Sequence, residues 1–132
     1  MNDQPDDNPQ KIELLLSRLK KEDYCYLTTI GRVSGRPHEI EIWFGLQNSI
    51  IYLMAGDHGS DWVKNLLKDP KGTVRIAQHH FTGTARLVRD EQEEMMARNL
   101  LADKYKEREA DGSLSEWAHT ALPVAIELKE GE

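Results

Sequence analysis

The hydrophobic period of this chain changes at residue 24, and that change limits the folds open to it. Upstream, Ile12, Leu15, Leu16 and Leu19 recur at helical spacing and form one apolar stripe on a short helix that Asn8-Pro9 would open as N-cap and first helical residue. From Tyr24 the pattern is that of strands. Residues 24–30 are rich in aromatic and β-branched side chains, and residues 38–44 alternate, with Ile40, Ile42 and Phe44 on one face and Glu39, Glu41 and Trp43 on the other. Ile50 to Ala55 is a continuous apolar run, as in a buried strand. Residues 31–37 read as a turn with two glycines, and Gly45 to Ser49 as a hairpin loop. Residues 73–78 and 81–88 form two further strands joined near His79-His80, and Val124, Ile126 and Leu128 alternate in a last one. Between these runs, Ser60 is placed to cap a helix carrying Trp62, Val63, Leu66 and Leu67, which Asp69-Pro70 ends. A later helix puts Met96, Ala97, Leu100, Leu101 and Tyr105 on one face, ahead of a polar loop at 110–116. The expected order is α, β, β, β, α, β, β, α, β. With hairpins in place of βαβ units and no G-x-G-x-x-G after a strand, the pattern speaks against a Rossmann domain. It fits a mainly β (α+β) fold: a small antiparallel barrel of about six strands with two or three covering helices.

The 132 residues suffice for one core, so we expect a flexible tail over residues 1–9 and a single domain over 10–132. No stretch reaches the roughly 20 apolar residues of a membrane span, and the polar, acidic start MNDQPDDNPQ does not resemble a signal peptide. With one cysteine, Cys25, there is no internal disulfide or multi-cysteine zinc site, and a cytoplasmic location is expected. The net charge of −6 argues against a nucleic-acid partner. The charge is uneven, however: residues 28–89 hold eight Lys/Arg against five Asp/Glu. A small anionic ligand suits that basic centre, although chance and solvated surface charge explain it as well.

Two loops could carry chemistry. Thr28-Thr29 followed by Gly31-Arg32-Val33-Ser34-Gly35-Arg36-Pro37 supplies the groups that bind phosphate: glycines that admit backbone N–H groups, hydroxyls, and arginine forks. A plain hairpin with solvated arginines is the equal alternative. If the turn is tight, Arg32 and Arg36 reach one side of it. Gly56-Asp57-His58-Gly59-Ser60 leaves a buried strand and opens a helix whose N-terminus could receive an anion, or is simply a capped helix with a lead-in. Adjacent His79 and His80 would face opposite ways on a strand, and no metal-ligand spacing is present, so no metal is expected. Cys25 reads as a small core residue, and no nucleophile-plus-base signature surrounds any serine.

Together these segments resemble a known family. Tyr26-Leu27-Thr28-Thr29-Ile30-Gly31-Arg32-Val33-Ser34-Gly35-Arg36-Pro37-His38, then Trp43-Phe44, Tyr52 to Gly56, Ser60 to Leu66 and Asp69 to Val74 are similar to the deazaflavin-dependent nitroreductases of the pyridoxamine 5′-phosphate oxidase-like split-barrel superfamily. Leu101 to Tyr105 and Leu122-Pro123-Val124 extend the likeness over residues 12–128. The resemblance implies a split β-barrel, a homodimer, and an oxidoreductase that moves a hydride from reduced coenzyme F-420, a deazaflavin, to a small organic acceptor. In sister groups the cofactor is FMN, and other members hold flavin adenine dinucleotide or haem, so an FMN-dependent reductase and a non-catalytic cofactor binder stay open. It places Thr28, Thr29, Arg32, Ser34, Gly35, Arg36 and Pro37 at the phosphate side of the cofactor. Met54, Ala55, Gly56, Gly59 and Ser60 fall along its approach, with Trp62 and Asn65 on the helix that follows. Trp43 and Tyr105 fall on the acceptor side. The chain departs from the family pattern at Val33, where Lys or Arg is common, at Gly56, and in lacking a proline before Trp62. Tyr24, Tyr26 and Trp43, on outer strand faces, are the candidates for the dimer surface.

Overall fold

A computed structural model describes residues 9–129, with side chains from Glu13 onward; the expected tail, the Asn8 cap and the Ile12 side chain lie outside these. In chain order the elements are α1 (Pro9–Leu19), β1 (Cys25–Ile30), β2 (Pro37–Ile42), β3 (Gly45–Gln47), β4 (Ile50–Ala55), α2 (Asp61–Lys68), β5 (Lys71–Ile76), β6 (His79–Leu87), α3 (Glu91–Tyr105), α4 (Glu116–Thr120) and β7 (Leu122–Leu128). The strands form one antiparallel sheet in the order β2-β1-β5-β6-β7-β4-β3. Its two edge strands, β2 and β3, are separated in sequence by Trp43 and Phe44 alone. That link spans at most about 11 Å, so the two edges must approach there and the sheet is curled into a half-barrel.

The expected antiparallel barrel is therefore present, with seven strands rather than six. The alternation over 38–44 does not run through as one strand: β2 ends at Ile42, and the chain changes edges before β3 pairs with β4, Gly45 opposite Tyr52. The loop expected from Gly45 to Ser49 is reduced to Asn48-Ser49, with Asn48 at φ 59°. A Cβ at Gly45 would sit 2.7 Å from Leu100 Cδ2 and 2.9 Å from Leu101 Cδ1, so a side chain there would have to push these leucines of α3 aside. The β5–β6 turn falls at Ala77-Gln78, two residues before its expected place, so His79 and His80 begin β6. A fourth helix, α4, follows the polar loop, its N-terminus capped by Ser115 Oγ accepting from the Ala118 N–H.

The sheet is buried on both faces near its middle. Inside the half-barrel lie Leu27, Phe44, Ile51, Leu53, Val74, Ile76 and Ile126, closed off by Leu16 of α1 and Leu66 of α2. Outside, Tyr52, Met54 and Ala125 pack under Ala97, Leu101 and Ala102 of α3 and Ala118 of α4. This explains the unbroken apolar run of β4: successive side chains point to opposite faces, and both faces are covered.

One polar cluster ties the outer layer to the sheet. Tyr52 donates to Glu93 at 2.6 Å, Arg86 grips Glu93 through two bonds of 2.8 and 2.9 Å, and Arg86 Nε donates to Glu127 at 2.6 Å. The Arg86 guanidinium, helped by the Tyr52 hydroxyl, holds the Glu93 carboxyl below the usual carboxylate range. A carboxyl lowered on folding contributes stability above its unfolded pKa and loses it as pH falls through the folded value. Glu93→Gln is accordingly expected to cost about 1–2 kcal/mol at neutral pH and progressively less on acidification. Denaturant melts at a series of pH values measure it, and an equal cost at every pH would overturn the ion-pair account.

Candidate functional site

The turn after β1 is closed by two backbone bonds, Gly31 N–H to Arg36 O at 2.8 Å and Gly35 N–H to Gly31 O at 2.9 Å, with Gly35 at φ +72°. This holds Arg32 against α2. The Arg32 amide and one guanidinium nitrogen both donate to Asn65 Oδ1, at 3.1 and 2.8 Å, and a second guanidinium nitrogen meets Asp61 Oδ1 at 3.0 Å. Asn65, only 4% exposed, in turn donates to Thr29 Oγ1 at 3.1 Å. Asn65 is thus a buried strut between β1, the turn and α2, and all of its amide contacts are spent on that role.

A cleft of about 480 Å³ opens beside the strut, between the turn, the free edge of β2 and α2. Of the residues expected at the phosphate side and the following helix, it brings together Thr29, Arg32, Ser34, Trp62 and Asn65. Arg36 is not on its wall; the Arg36 amide donates to Ser34 Oγ at 3.1 Å and its side chain is exposed. Of the two arginines, only Arg32 lines the cleft. Thr28 lies on the opposite sheet face, between Glu39 and Thr73. Gly35 and Pro37 shape the turn and the start of β2. Sequence reasoning missed His38 and Asp61, which also line the cleft. His38 directly follows the motif, so its position was the available signal.

Residues 56–60 run from the end of β4 to α2. Here Gly59 N–H donates to Asp57 Oδ1 at 2.8 Å and His58 Nε2 meets Thr120 O at 2.9 Å, which ties the segment to the end of α4. Ser60 occupies the N-cap position, but its hydroxyl donates to Asp57 O instead of capping α2. Met54 and Gly56 lie at the far end of this segment, beside Trp117 of α4; a Cβ on Gly56 would meet that indole at 3.6 Å.

There a second cavity, of about 490 Å³, is walled by Trp43, Trp117, Met54, Tyr24 and Ile42, with Glu41 and Glu107 also on its wall. Trp43 stacks on Tyr105 with ring centroids 4.2 Å apart and planes 2° off parallel, and meets Trp117 edge-on at 5.3 Å. Tyr105 backs this wall and is not part of it. Its hydroxyl accepts from Phe44 N–H at 3.0 Å and lies 2.8 Å from Asp23 O, and burial pushes it up to about 12. Lys104 Nζ donates to Phe44 O at 3.0 Å and sits 3.6 Å from the Phe44 ring centre; burial lowers it to about 8. Lys104 and Tyr105 thus clamp the two-residue link between the sheet edges. Trp117 was invisible in the sequence because it fell at the end of an expected loop.

The two cavities follow one another along β2, with His38 and Ile40 on the first and Ile42 and Trp43 on the second. One end offers charged and hydroxyl donors and the other offers flat apolar walls. That donor set fits a ligand with an anionic tail and a conjugated ring. Among the described residues, no three His, Cys, Asp or Glu side chains converge as a metal site.

Comparison with known proteins agrees with this geometry. The half-barrel is similar to HutZ, the haem storage protein of Vibrio cholerae, at 14% identity and TM-score 0.71 over 90% of this chain and 91% of that one. It is similar to an F-420 reductase at 15% identity and TM-score 0.64, covering 86% and 91% of the two chains. A reduced-F-420-dependent reductase (FDR-A) matches at 20% identity and TM-score 0.62, covering 81% and 94%. At such identities these likenesses show the fold. A search of curated proteins finds no match. The family model described as F420H(2)-dependent quinone reductase, however, matches residues 11–129, nearly the whole chain. The chain therefore belongs to the F420H(2)-dependent quinone reductase family: it is a split-barrel oxidoreductase whose cofactor is coenzyme F-420.

Proposed function

We propose that this protein passes a hydride from reduced coenzyme F-420 to a small quinone-type acceptor in the cytoplasm, the cofactor's anionic tail in the cleft beside Arg32 and the acceptor in the slot beside Trp43. The observation that carries this reading is that β2 lends residues to both cavities, His38 to Ile40 to the first and Glu41 and Ile42 to the second, while residues 56–60 link Met54 of the second to Asp61 of the first. When bound, the reduced cofactor supplies the hydride; the protein supplies binding, orientation and exclusion of water. Arg32 and Ser34 would hold the tail, with Arg32 kept in place by Asn65 and Asp61. Met54, Ala55 and Gly56 would line the approach of the ring, with Gly59 and Ser60 shaping the segment beyond. Trp43 and Trp117, whose planes are fixed by Tyr105 and by each other, would orient a flat acceptor.

We infer a homodimer from β2, a free sheet edge, and from Tyr24, which is 46% exposed. Trp43 is withdrawn from that argument because it packs within its own chain, and the Tyr26 hydroxyl is spent on Glu41. Sedimentation at micromolar concentration should give about twice the chain mass, and a 15.1 kDa species would refute the dimer.

The decisive assay is anaerobic oxidation of the reduced cofactor by a simple quinone, run beside an FMN control. Binding without turnover of any acceptor would replace the reductase with a carrier. Arg32→Ala is expected to weaken binding of the oxidised cofactor about ten- to a hundred-fold, as for loss of a charge-assisted bond, and Arg32→Lys should recover part of it. Arg36→Ala should change binding by no more than about threefold, since it lies outside the cleft. Equal losses in the two alanine variants would contradict this placement. Trp43→Ala should raise KM for the quinone about tenfold while leaving cofactor affinity near the parent's.

A further inference from the structure

We propose that anion recognition in the Arg32 cleft is proton-coupled through His38, whose imidazole can add the positive charge that Arg32 spends on Asp61. The inference rests on the reading above only where it identifies the anion with the cofactor's tail. Among the described residues, the ionisable groups lining the cleft are Arg32, His38, Glu39 and Asp61. Arg32 is already paired with Asp61 at 3.0 Å, so its charge is largely answered from α2. Glu39 reaches the cleft at the β2 edge, but it shares the sheet face of Thr28, opposite to that of His38, and is paired there at 3.6 Å with Arg75 of β5. With a neutral imidazole the Arg32–Asp61 and Arg75–Glu39 pairs each sum to zero, and no net charge attracts an anion. With a protonated imidazole the same groups carry one positive charge, which favours an anion.

The geometry adds a second effect of the same proton. His38 Nε2 lies 3.3 Å from Ser34 Oγ, and Ser34 Oγ also accepts from the Arg36 amide at 3.1 Å. When Nε2 is unprotonated, the Ser34 hydroxyl donates to it and is lost to a ligand. When Nε2 carries a proton, it donates to Ser34 Oγ, and the Ser34 O–H is freed to point into the cleft. Starting from the Nδ1–H tautomer, one protonation therefore adds a charge and releases a hydroxyl donor. Gly31 makes this pair possible: a Cβ there would stand 2.6 Å from Ser34 Oγ and 2.7 Å from His38 Nε2. A side chain at position 31 would therefore have to displace the Ser34–His38 contact.

Sulfate is the probe, because it stays dianionic across the range in which histidines titrate. Sulfate titrations of the intact protein, followed by NMR at the Ser34 amide and the Arg32 guanidinium, are run at about pH 6 and about pH 8.5. The parent should bind about tenfold more weakly at the higher pH. His38→Gln should bind weakly at both, and His38→Lys should bind as tightly at both as the parent does at the lower pH. His38 is exposed, so neither variant should disturb the fold, which near-UV spectra would check. Gly31→Ala should mimic His38→Gln by pushing the pair apart. If His38→Gln keeps the parent's pH dependence, or sulfate perturbs no cleft signal, the inference is wrong. Oxidised coenzyme F-420 is then added as competitor. If sulfate binding follows His38 but the cofactor does not displace it, the anion site stands and the placement of the cofactor's tail falls. If the cofactor binds the parent and His38→Gln equally at both pH values, the coupling fails and the reductase stands.

Discussion

The structure depends on the two residues that join the edges of its sheet. Trp43 and Phe44 carry the chain from β2 to β3, and so from one rim of a seven-stranded sheet to the other. A flat sheet would separate those rims by six strand spacings, about 28 Å, which two residues cannot bridge. Curling is therefore a covalent requirement as well as a packing preference. The link also sorts the two side chains: Phe44 is fully buried inside the half-barrel, and Trp43 turns outward onto Tyr105. The wall of the aromatic slot and the closure of the fold are thus the same piece of chain, and Lys104 and Tyr105, which bond to Phe44, serve both.

The cleft at the other end of β2 is built on a different economy. Its one guanidinium is held by an amide and a carboxylate from α2, which fixes its direction but offsets its charge. Such a site is preorganised for shape and hydrogen bonding, while its net electrostatics are left to a neighbouring group. The same helix presents Trp62 to the cleft and packs against the barrel core, so the turn, the strut and the apolar wall share one anchor.

Much of the fold was legible because period and turn chemistry agreed. The strands over 24–30 and 50–55, the helix at Trp62–Leu67 and the last strand all show clean local patterns. The edge switch was not legible: alternation continues through Trp43 and Phe44 as if the strand ran on, because side-chain faces do not report which neighbour the backbone pairs with. The helix α4 was hidden by its length of five residues. Arg32, Ser34, Trp62 and Asn65, singled out from their motif, line one cleft. Arg36, expected beside Arg32, is not on the cleft wall; a turn's spacing does not say which way each guanidinium points. Asp61 and His38 were missed because an isolated carboxylate and an exposed histidine carry no pattern of their own.

Cys25, the sole cysteine, is fully buried, and its thiol is pushed up to about 12 by desolvation. Quinones are electrophiles as well as hydride acceptors, and they add readily to thiolates. At such a pKa almost none of the sulfur is ionised at neutral pH, and a closed core gives an electrophile no path to it. If quinones are the acceptors, as proposed above, this burial keeps the chain's only thiol out of reach of arylation. The same burial shields it from stepwise oxidation.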